Sequence, residues 1–542
     1  MNGAQSLLKA LRAMGVEAIF ASPGSDWAPL WEALAGDAYW AERYISSRHE
    51  ETAIAMALGY AKATGKLPAV VVHTTVGALH TTMIARAALH ERIPMVILAG
   101  EVIGFAEPPG PKVGRQWLRL LTDLGGPARL MESCVKWSFA LNVPSILPHT
   151  IQRACQLAMT APRGPVFVSV PTEYMLAGMQ ADAPPAALPS LPQVNDQAIG
   201  EIAAALNGAK NPVIITEEAG RDAAAVQALV GLAEALGAPV YEAWQPYYYN
   251  FPHDHPLYGG IVVDKLPAAL AEADTVFLVE SVLPWHPPSA ITDKKVLVLG
   301  EDPLHPRLPF WGFRADVVAM GEVTAALLSL TRQIKKRASQ VTVNEKAKPV
   351  GQPAQIDTAW VAQQLNEALP AGAILVNETI THRLELHHRI DRLEPGGFFE
   401  ASYGGLGVGL GLALGARYAH PKSTVICTIG DGAFHYNPVV GSFGAAQEHG
   451  LPFLVVLFNN AGYRSQKGDV STYYPQGEAA RQGKVIGTQI APAPDYRKLA
   501  EAYGGYGERV DDPAQVRAAI DRGLKAVAGG KLALLDMVLA PI

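Results

Sequence analysis

Asp431 stands between two glycines, Gly430 and Gly432, directly after the apolar run Thr424–Ile429. A second apolar run, Phe453–Phe458, ends in Asn459-Asn460. An acidic residue at the C-terminal end of a parallel strand lies where such sheets bind ligands. Flanking glycines allow a sharp turn and a close approach of backbone to ligand. Asp431 offers a hard charged oxygen and Asn460 a neutral one. Two such oxygens with further positions open suit Mg²⁺ bound to a diphosphate. A purely structural turn at 430–432 explains the same residues, and on this chemistry alone both readings stand.

Other residues are equipped to move protons or hold an anion. His73 closes the run Pro68–Thr74, Glu50 follows His49, and Ser25 ends the segment Ser22-Pro23-Gly24-Ser25. Imidazole exchanges protons near neutral pH. His286 lies after the run Thr275–Glu280, between Trp285 and Pro287. Each has a plain structural use as well: Ser25 as a helix cap, Glu50 as a solvated carboxylate at a helix start, His286 as a loop residue. His80 is a weaker candidate for the same neighbourhood.

Short β-rich runs must position these groups. Ten are evident: Pro68–Thr74, Pro94–Ala99, Pro165–Val170, Pro212–Thr216, Thr275–Glu280, Lys295–Gly300, Ala373–Asn377, Thr424–Ile429, Phe453–Phe458 and Ala533–Val538. They are mostly apolar on both faces and separated by helix-length stretches, which predicts an α/β protein with mostly parallel sheets covered by helices. The Pro/Ala-rich stretch 181–192 and the polar stretch 335–355 read as boundaries. The expected division is 1–182, 190–334, a linker 335–355, and 356–542. The first and third parts have similar length and rhythm.

Composition sets the outer bounds. The chain has 542 residues, enough for two to four domains. With 49% hydrophobic and 17% charged residues it can bury large cores and is not a disordered chain. A net charge of −6 argues against a nucleic-acid or anionic-membrane partner. Cys134, Cys155 and Cys427 have no paired spacing, so neither a disulfide framework nor a cysteine zinc site is expected. The N-terminus reads as an amphipathic helix entering a strand rather than a signal peptide. No apolar stretch approaches ~18 residues, so no membrane span is expected. A cytoplasmic location follows as an expectation.

The Gly430-Asp431-Gly432 motif, with Asn459-Asn460 after it, resembles the cofactor-binding motif of the thiamine diphosphate-dependent 2-oxo acid decarboxylase and acetolactate synthase family. Residues 433–458 separate the two halves, within the family's usual range. His49-Glu50 followed by Gly59-Tyr60-Ala61 resembles a second family signature. The resemblance spans essentially the whole chain. It implies three α/β domains: N-terminal pyrimidine-binding, central Rossmann-like and C-terminal diphosphate-binding. It implies thiamine diphosphate and Mg²⁺ as cofactors. Asp431, Asn460 and the backbone carbonyl of Gly462 would hold the metal, with Gly430, Gly432 and Ala433 beside the diphosphate. Glu50 would bond the aminopyrimidine ring. It also implies a site built between two chains, hence a homodimer at least and a homotetramer by analogy.

Within the family, several residues resemble benzoylformate decarboxylase. They are Ser25 in its loop, His73 after its strand, His286 by approximate position, and the run Gly404-Gly405-Leu406-Gly407. Leu406 would prop the cofactor's bent shape, and Thr379 and Thr381 would lie by the diphosphate by position alone. The implied activity is decarboxylation of a 2-oxo acid to an aldehyde, carboligation of the acyl anion to a second carbonyl, or both. Alternatives are acetolactate synthase proper and a cofactor-binding protein without turnover.

Some features depart from that pattern. The adjacent pair His387-His388 lies in the third part, not where the pyruvate decarboxylase branch has its pair. The stretch after Asn460, with Arg464 and Lys467, is more polar than an aryl-binding wall. It resembles acetolactate-synthase-like proteins, and its two cations fit a phosphate, a carboxylate or plain solvation. The aromatic run Trp244–Phe251 suits packing at an interface better than a substrate channel. Residues 190–334 show no glycine-rich phosphate loop, so no flavin is expected.

Overall fold

Runs rich in Val, Ile and Leu that are apolar on both faces can only be satisfied inside a sheet covered on each side. In the computed structural model, which describes residues 1–107, 111–179, 184–262, 266–337, 342–400 and 405–540, they form three six-stranded sheets. Every strand pairing within them is parallel.

The first sheet contains β1 (Ile19–Ser22), β2 (Tyr44–Ser46), β3 (Ala69–Val72), β4 (Met95–Glu101), β5 (Trp137–Ala140) and β6 (Pro165–Pro171), ordered β2-β1-β3-β4-β6-β5. The second contains β7 (Pro212–Thr216), β8 (Val240–Glu242), β9 (Tyr258–Ile261), β10 (Thr275–Val279), β11 (Lys295–Gly300) and β12 (Val317–Met320). Its order, β12-β11-β10-β7-β8-β9, winds outward in both directions from the β7–β10 pair, as in Rossmann-type sheets. The third contains β13 (Ile374–Glu378), β14 (Phe398–Glu400), β15 (Val425–Gly430), β16 (Leu454–Asn459), β17 (Tyr506–Val510) and β18 (Ala533–Val538), ordered β14-β13-β15-β16-β18-β17. Counted within each sheet, the first and third have the same strand order. That gives a structural basis for their similar sequence rhythm.

The chain divides into two compact units. Unit 1 comprises 1–190, 402–421 and 437–451; unit 2 comprises 191–401, 422–436 and 452–542. Unit 1 therefore holds the first sheet together with two helices from late in the chain, Gly409–Ala419 and Val439–Glu448. The reason is visible in the packing of helix Gly409–Ala419 on helix Glu50–Thr64. A Cβ on Gly59 would fall onto the backbone carbonyl of Leu412, and one on Gly415 onto that of Met56. Only hydrogen fits at these positions, so the two helices touch backbone to backbone. Helix Val439–Glu448 adds polar ties: Ser46 Oγ donates to Glu448 Oε1 at 2.6 Å, and the hydroxyls of Thr52 and Ser442 lie 3.3 Å apart.

Unit 2 holds the second and third sheets. The aromatic run packs inside this unit: Tyr247, Tyr248, Tyr249 and Phe251 are all buried. Tyr248 meets Phe399 edge-on at 6.1 Å. Gly404 and the stretch 181–183 lie outside the described residues. Among the described residues no helix is long and apolar enough to cross a membrane.

Candidate functional site

In unit 1, three candidate residues follow three neighbouring strands. Ser25 comes after β1, Glu50 after β2 and His73 after β3, and these strands adjoin in the order β2-β1-β3. The carboxyl ends of parallel strands gather residues distant in sequence at one edge.

Glu50 opens helix Glu50–Thr64. The His49 Nδ1 caps that helix by accepting from the Glu51 amide at 3.2 Å. Carboxylates in a first turn are favoured by the helix dipole. Gly77, in the turn after His73, keeps the space between Glu50 and His73 clear. A Cβ there would lie 3.3 Å from Glu50 Oε1 and 3.1 Å from His73 Cβ.

His73 is held at both ring nitrogens. Its Nδ1 lies 2.5 Å from Asp26 Oδ1, and its Nε2 lies 3.1 Å from an Arg119 guanidinium nitrogen. Arg119 can only donate. Nε2 is therefore the acceptor, and Nδ1 carries the proton shared with Asp26. Asp26 is fully buried. Thr172 Oγ1 anchors its backbone by donating to the Asp26 carbonyl at 3.0 Å. Gly24 lies so close to the His73 ring that a Cβ would overlap it. Ser25 Oγ accepts from Gln116 Nε2 at 2.5 Å. Nearby, His80 is exposed; its ring meets His49 edge-on at 4.9 Å. Leu406 is half-buried in unit 1, just ahead of helix Gly409–Ala419.

Unit 2 gathers the second group, on the adjacent strands β13, β15 and β16. Gly430 ends β15, and Asp431 opens the short helix Asp431–Tyr436, so the strand passes straight into helix without a separate turn. Asp431 Oδ1 accepts from the Gly432 amide at 2.8 Å, and Oδ2 from the Gly462 amide at 3.0 Å. Asn460 Oδ1 accepts from the same Gly462 amide at 3.2 Å. The two side chains thus converge on one backbone N–H, helped by a left-handed Ala461 at φ 59°. Burial pushes the Asp431 carboxyl up to about 6, against the pull of the amides around it. A buried carboxylate and a carbonyl oxygen so close together form the kind of donor set that holds a hard divalent cation. Room exists beside them, because a Cβ on Gly430 would meet nothing within 4 Å. Ala433 is buried in the same short helix.

The threonines differ from one another. Thr379 is buried, and its hydroxyl donates to Asn377 Oδ1 at 2.7 Å, whereas Thr381 is exposed. His286 is also exposed, in the loop between β10 and β11. Arg464 is exposed and Lys467 half-buried on helix Arg464–Tyr473, none of whose residues is buried.

Three matches bear on this arrangement. The N-terminal TPP binding domain of thiamine pyrophosphate enzymes matches residues 1–104, the central domain 199–305, and the C-terminal TPP binding domain 381–537. Together they span more than half of the chain. It belongs to the thiamine pyrophosphate enzyme family. Among curated members, the acetolactate synthase isozyme 2 large subunit of Escherichia coli is 26% identical over 97% of this chain and 94% of its own length. Benzoylformate decarboxylase of Pseudomonas aeruginosa is 26% identical over 84% of this chain and 85% of its own. Among solved structures, the thiamine diphosphate-dependent 4-hydroxybenzoylformate decarboxylase of Rhodococcus jostii RHA1 superposes with a TM-score of 0.85 at 25% identity, over 100% of both chains.

Four side chains of this thiamine pyrophosphate enzyme escaped the reading of its sequence: Asp26, Gln116, Arg119 and His382. Asp26 was within reach, as the neighbour of Ser25 in a loop already marked. Gln116 and Arg119 lie in the 3₁₀ helix Gly114–Leu121, outside every strand-like run that the sequence singles out. His382 links Thr358, at 2.6 Å from its Nδ1, to Asn460, at 3.5 Å from its Nε2. Burial, with the Arg464 charge adding to it, pushes His382 down to about 4. It is neutral at ordinary pH.

Proposed function

We propose that this enzyme decarboxylates a 2-oxo acid with thiamine diphosphate and Mg²⁺, releasing an aldehyde or passing the acyl group to a second carbonyl. The observation that carries the reading is the grouping of Ser25, Glu50 and His73 at the ends of β1, β2 and β3. It supports proton transfer beside an anion-holding loop. Benzoylformate and 4-hydroxybenzoylformate, in the names of two of the relatives, are acids of this class.

Thiamine diphosphate, when bound, would supply the electron sink for loss of CO₂. Asp431, Asn460 and the Gly462 carbonyl hold Mg²⁺ in this reading, and Gly430, Gly432, Ala433, Thr379 and Thr381 line the diphosphate. The Thr379 hydroxyl and backbone N–H both donate to Asn377 Oδ1, so one of them must leave Asn377 to meet the diphosphate. Leu406 supports the cofactor. Glu50 exchanges a proton with the aminopyrimidine ring. Ser25 and Arg119 hold the substrate carboxylate. His73 Nε2 takes or returns a proton once Arg119 turns to the substrate, with Asp26 fixing the tautomer. His286 is the second proton carrier. The active form is a homodimer or homotetramer in the cytoplasm.

A CO₂-release screen with thiamine diphosphate and Mg²⁺ tests the reading. The donors are pyruvate, longer alkyl 2-oxo acids, phenylpyruvate and benzoylformate, each with and without an acceptor aldehyde, and with Glu50→Gln as control. CO₂ that depends on Glu50 supports it, and the products separate aldehyde release from acetolactate-type carboligation. The second outcome has its own support in the E. coli synthase, which aligns along nearly the full chain. No CO₂ from any acid, with cofactor bound, rejects the substrate class.

A further inference from the structure

A second cluster of ligand-type side chains lies in the interior of unit 2. Glu242 at the end of β8, His253 in the loop after it, and His387 on helix Arg383–Arg389 each offer a ligand atom, all within 4.8 Å of one another. Glu242 is 0% exposed, His253 8% and His387 5%. Burying three ionisable groups together is costly unless something offsets it.

The surrounding bonds orient His253 and Glu242 toward each other, and leave one nitrogen of His387 uncommitted. His253 Nδ1 donates to the Ile390 carbonyl at 3.0 Å, which turns Nε2 toward Glu242 Oε2 at 3.2 Å. His387 Nε2 pairs with Glu400 Oε2 at 3.3 Å. Its Nδ1 is buried and has no hydrogen-bond partner among the described residues. Glu242 is itself steadied by Asn250 Nδ2 at 2.9 Å on Oε1 and the Tyr258 hydroxyl at 2.8 Å on Oε2. Histidine ligands to metals commonly give their other N–H to a backbone carbonyl or a carboxylate. Ile390 and Glu400 supply one of each.

We propose that Glu242, His253 and His387 form a binding site for one Zn²⁺. Two imidazoles and one carboxylate make a zinc ligand set, with a fourth position left for water. A cavity of about 810 Å³, lined by His253, Tyr258, Asn344, Glu345, Arg389 and Asp391, reaches the cluster at His253. Binding displaces the proton that His253 Nε2 shares with Glu242 and releases it to solvent. Glu400, with Arg383 at 3.9 Å, stands behind His387 and balances part of the charge. The ion would tie β8 and its following loop to helix Arg383–Arg389, giving His387 a use unrelated to proton transfer.

The test uses the full chain loaded with thiamine diphosphate and Mg²⁺ and titrated with Zn²⁺ alone. Metal is counted after desalting, and the bound ion's surroundings are read by X-ray absorption. One retained Zn²⁺ per chain with two imidazoles in its shell, and a raised melting temperature, is expected. His387→Gln keeps a donor for Glu400 but removes the Nδ1 ligand, and should lose the ion. Glu400→Gln should weaken retention by about 10–100-fold. His80→Ala, in the separate group His49, Glu50 and His80, should leave the count unchanged. Failure of the wild-type chain to retain Zn²⁺, equal retention by His387→Gln, or loss in His80→Ala overturns the proposal. Should His387→Gln not fold, Glu400→Gln and the absorption spectrum still decide it.

Discussion

His73 Nδ1 and Asp26 Oδ1 lie 2.5 Å apart, with the carboxylate wholly buried and the imidazole at the end of a strand. The bond fixes which nitrogen of His73 carries its proton and leaves the other for Arg119 or a substrate. Asp26→Asn keeps the shape but removes the charge that orders the ring. A loss of at least about 10²-fold in kcat is expected, within the range of general acid–base effects. Cofactor affinity should be unchanged. Equal activity in the variant would show that the pair serves packing alone.

Glu50→Gln removes a proton-exchanging group while conserving size at the first position of a helix capped by His49. Hydrogen–deuterium exchange at the cofactor's thiazolium carbon should slow by about 10²–10⁴-fold, followed by NMR. Unchanged exchange would mean that Glu50 is only a helix-start carboxylate.

Asp431 and Asn460 share the Gly462 amide, so each depends on the other's position. Asp431→Asn should abolish Mg²⁺-dependent retention of thiamine diphosphate, measured by calorimetry. Chelation of the wild-type enzyme should remove activity, and added Mg²⁺ should restore it. Retention by the variant at wild-type affinity would move the metal elsewhere.

A pH effect on stability is expected from Glu448. The Ser46 hydroxyl, then His449 and Arg48, hold its carboxyl below the ordinary 4.5, against some burial. A depressed carboxylate stabilises the fold above its unfolded value and stops doing so as pH falls through its folded value. Glu448→Gln should therefore melt earlier than wild type near neutral pH, with the gap closing on acidification below about 4.5. Exposure keeps the effect within about 1 kcal/mol. A gap that widens in acid would refute the assignment.

Ten of the twelve inner strands coincide with runs marked in the sequence, and none of the six outer strands does. The runs at β3, β4, β6, β7, β10, β11, β13, β15, β16 and β18 are mostly apolar, and each lies at its predicted place to within two residues. Strands such as β2, β5, β12 and β17 are partly exposed, and β2, β8 and β14 are three residues long. Neither continuous apolarity nor length marks them. Asp431 and Asn460 were legible because glycines and strand ends punctuate them. Arg119 was not, because it reaches His73 across 46 residues from a 3₁₀ helix that no strand-like run marks. The two late helices of unit 1 were missed for a related reason, since contiguous division of a sequence cannot show a segment that packs with an earlier one.

Those helices carry one more consequence. Glu50 begins one member of the glycine-lined pair, and Leu406 stands just before the other. Where two backbones touch with no side chain between them, no rotamer can absorb an error. The spacing works like a machinist's gauge block, rigid because it contains nothing adjustable. Two residues remote in sequence inherit a common reference from that contact. Drift elsewhere in the sequence can alter what surrounds the pair, but a methyl group at position 59 or 415 would shift both ends of the measurement at once.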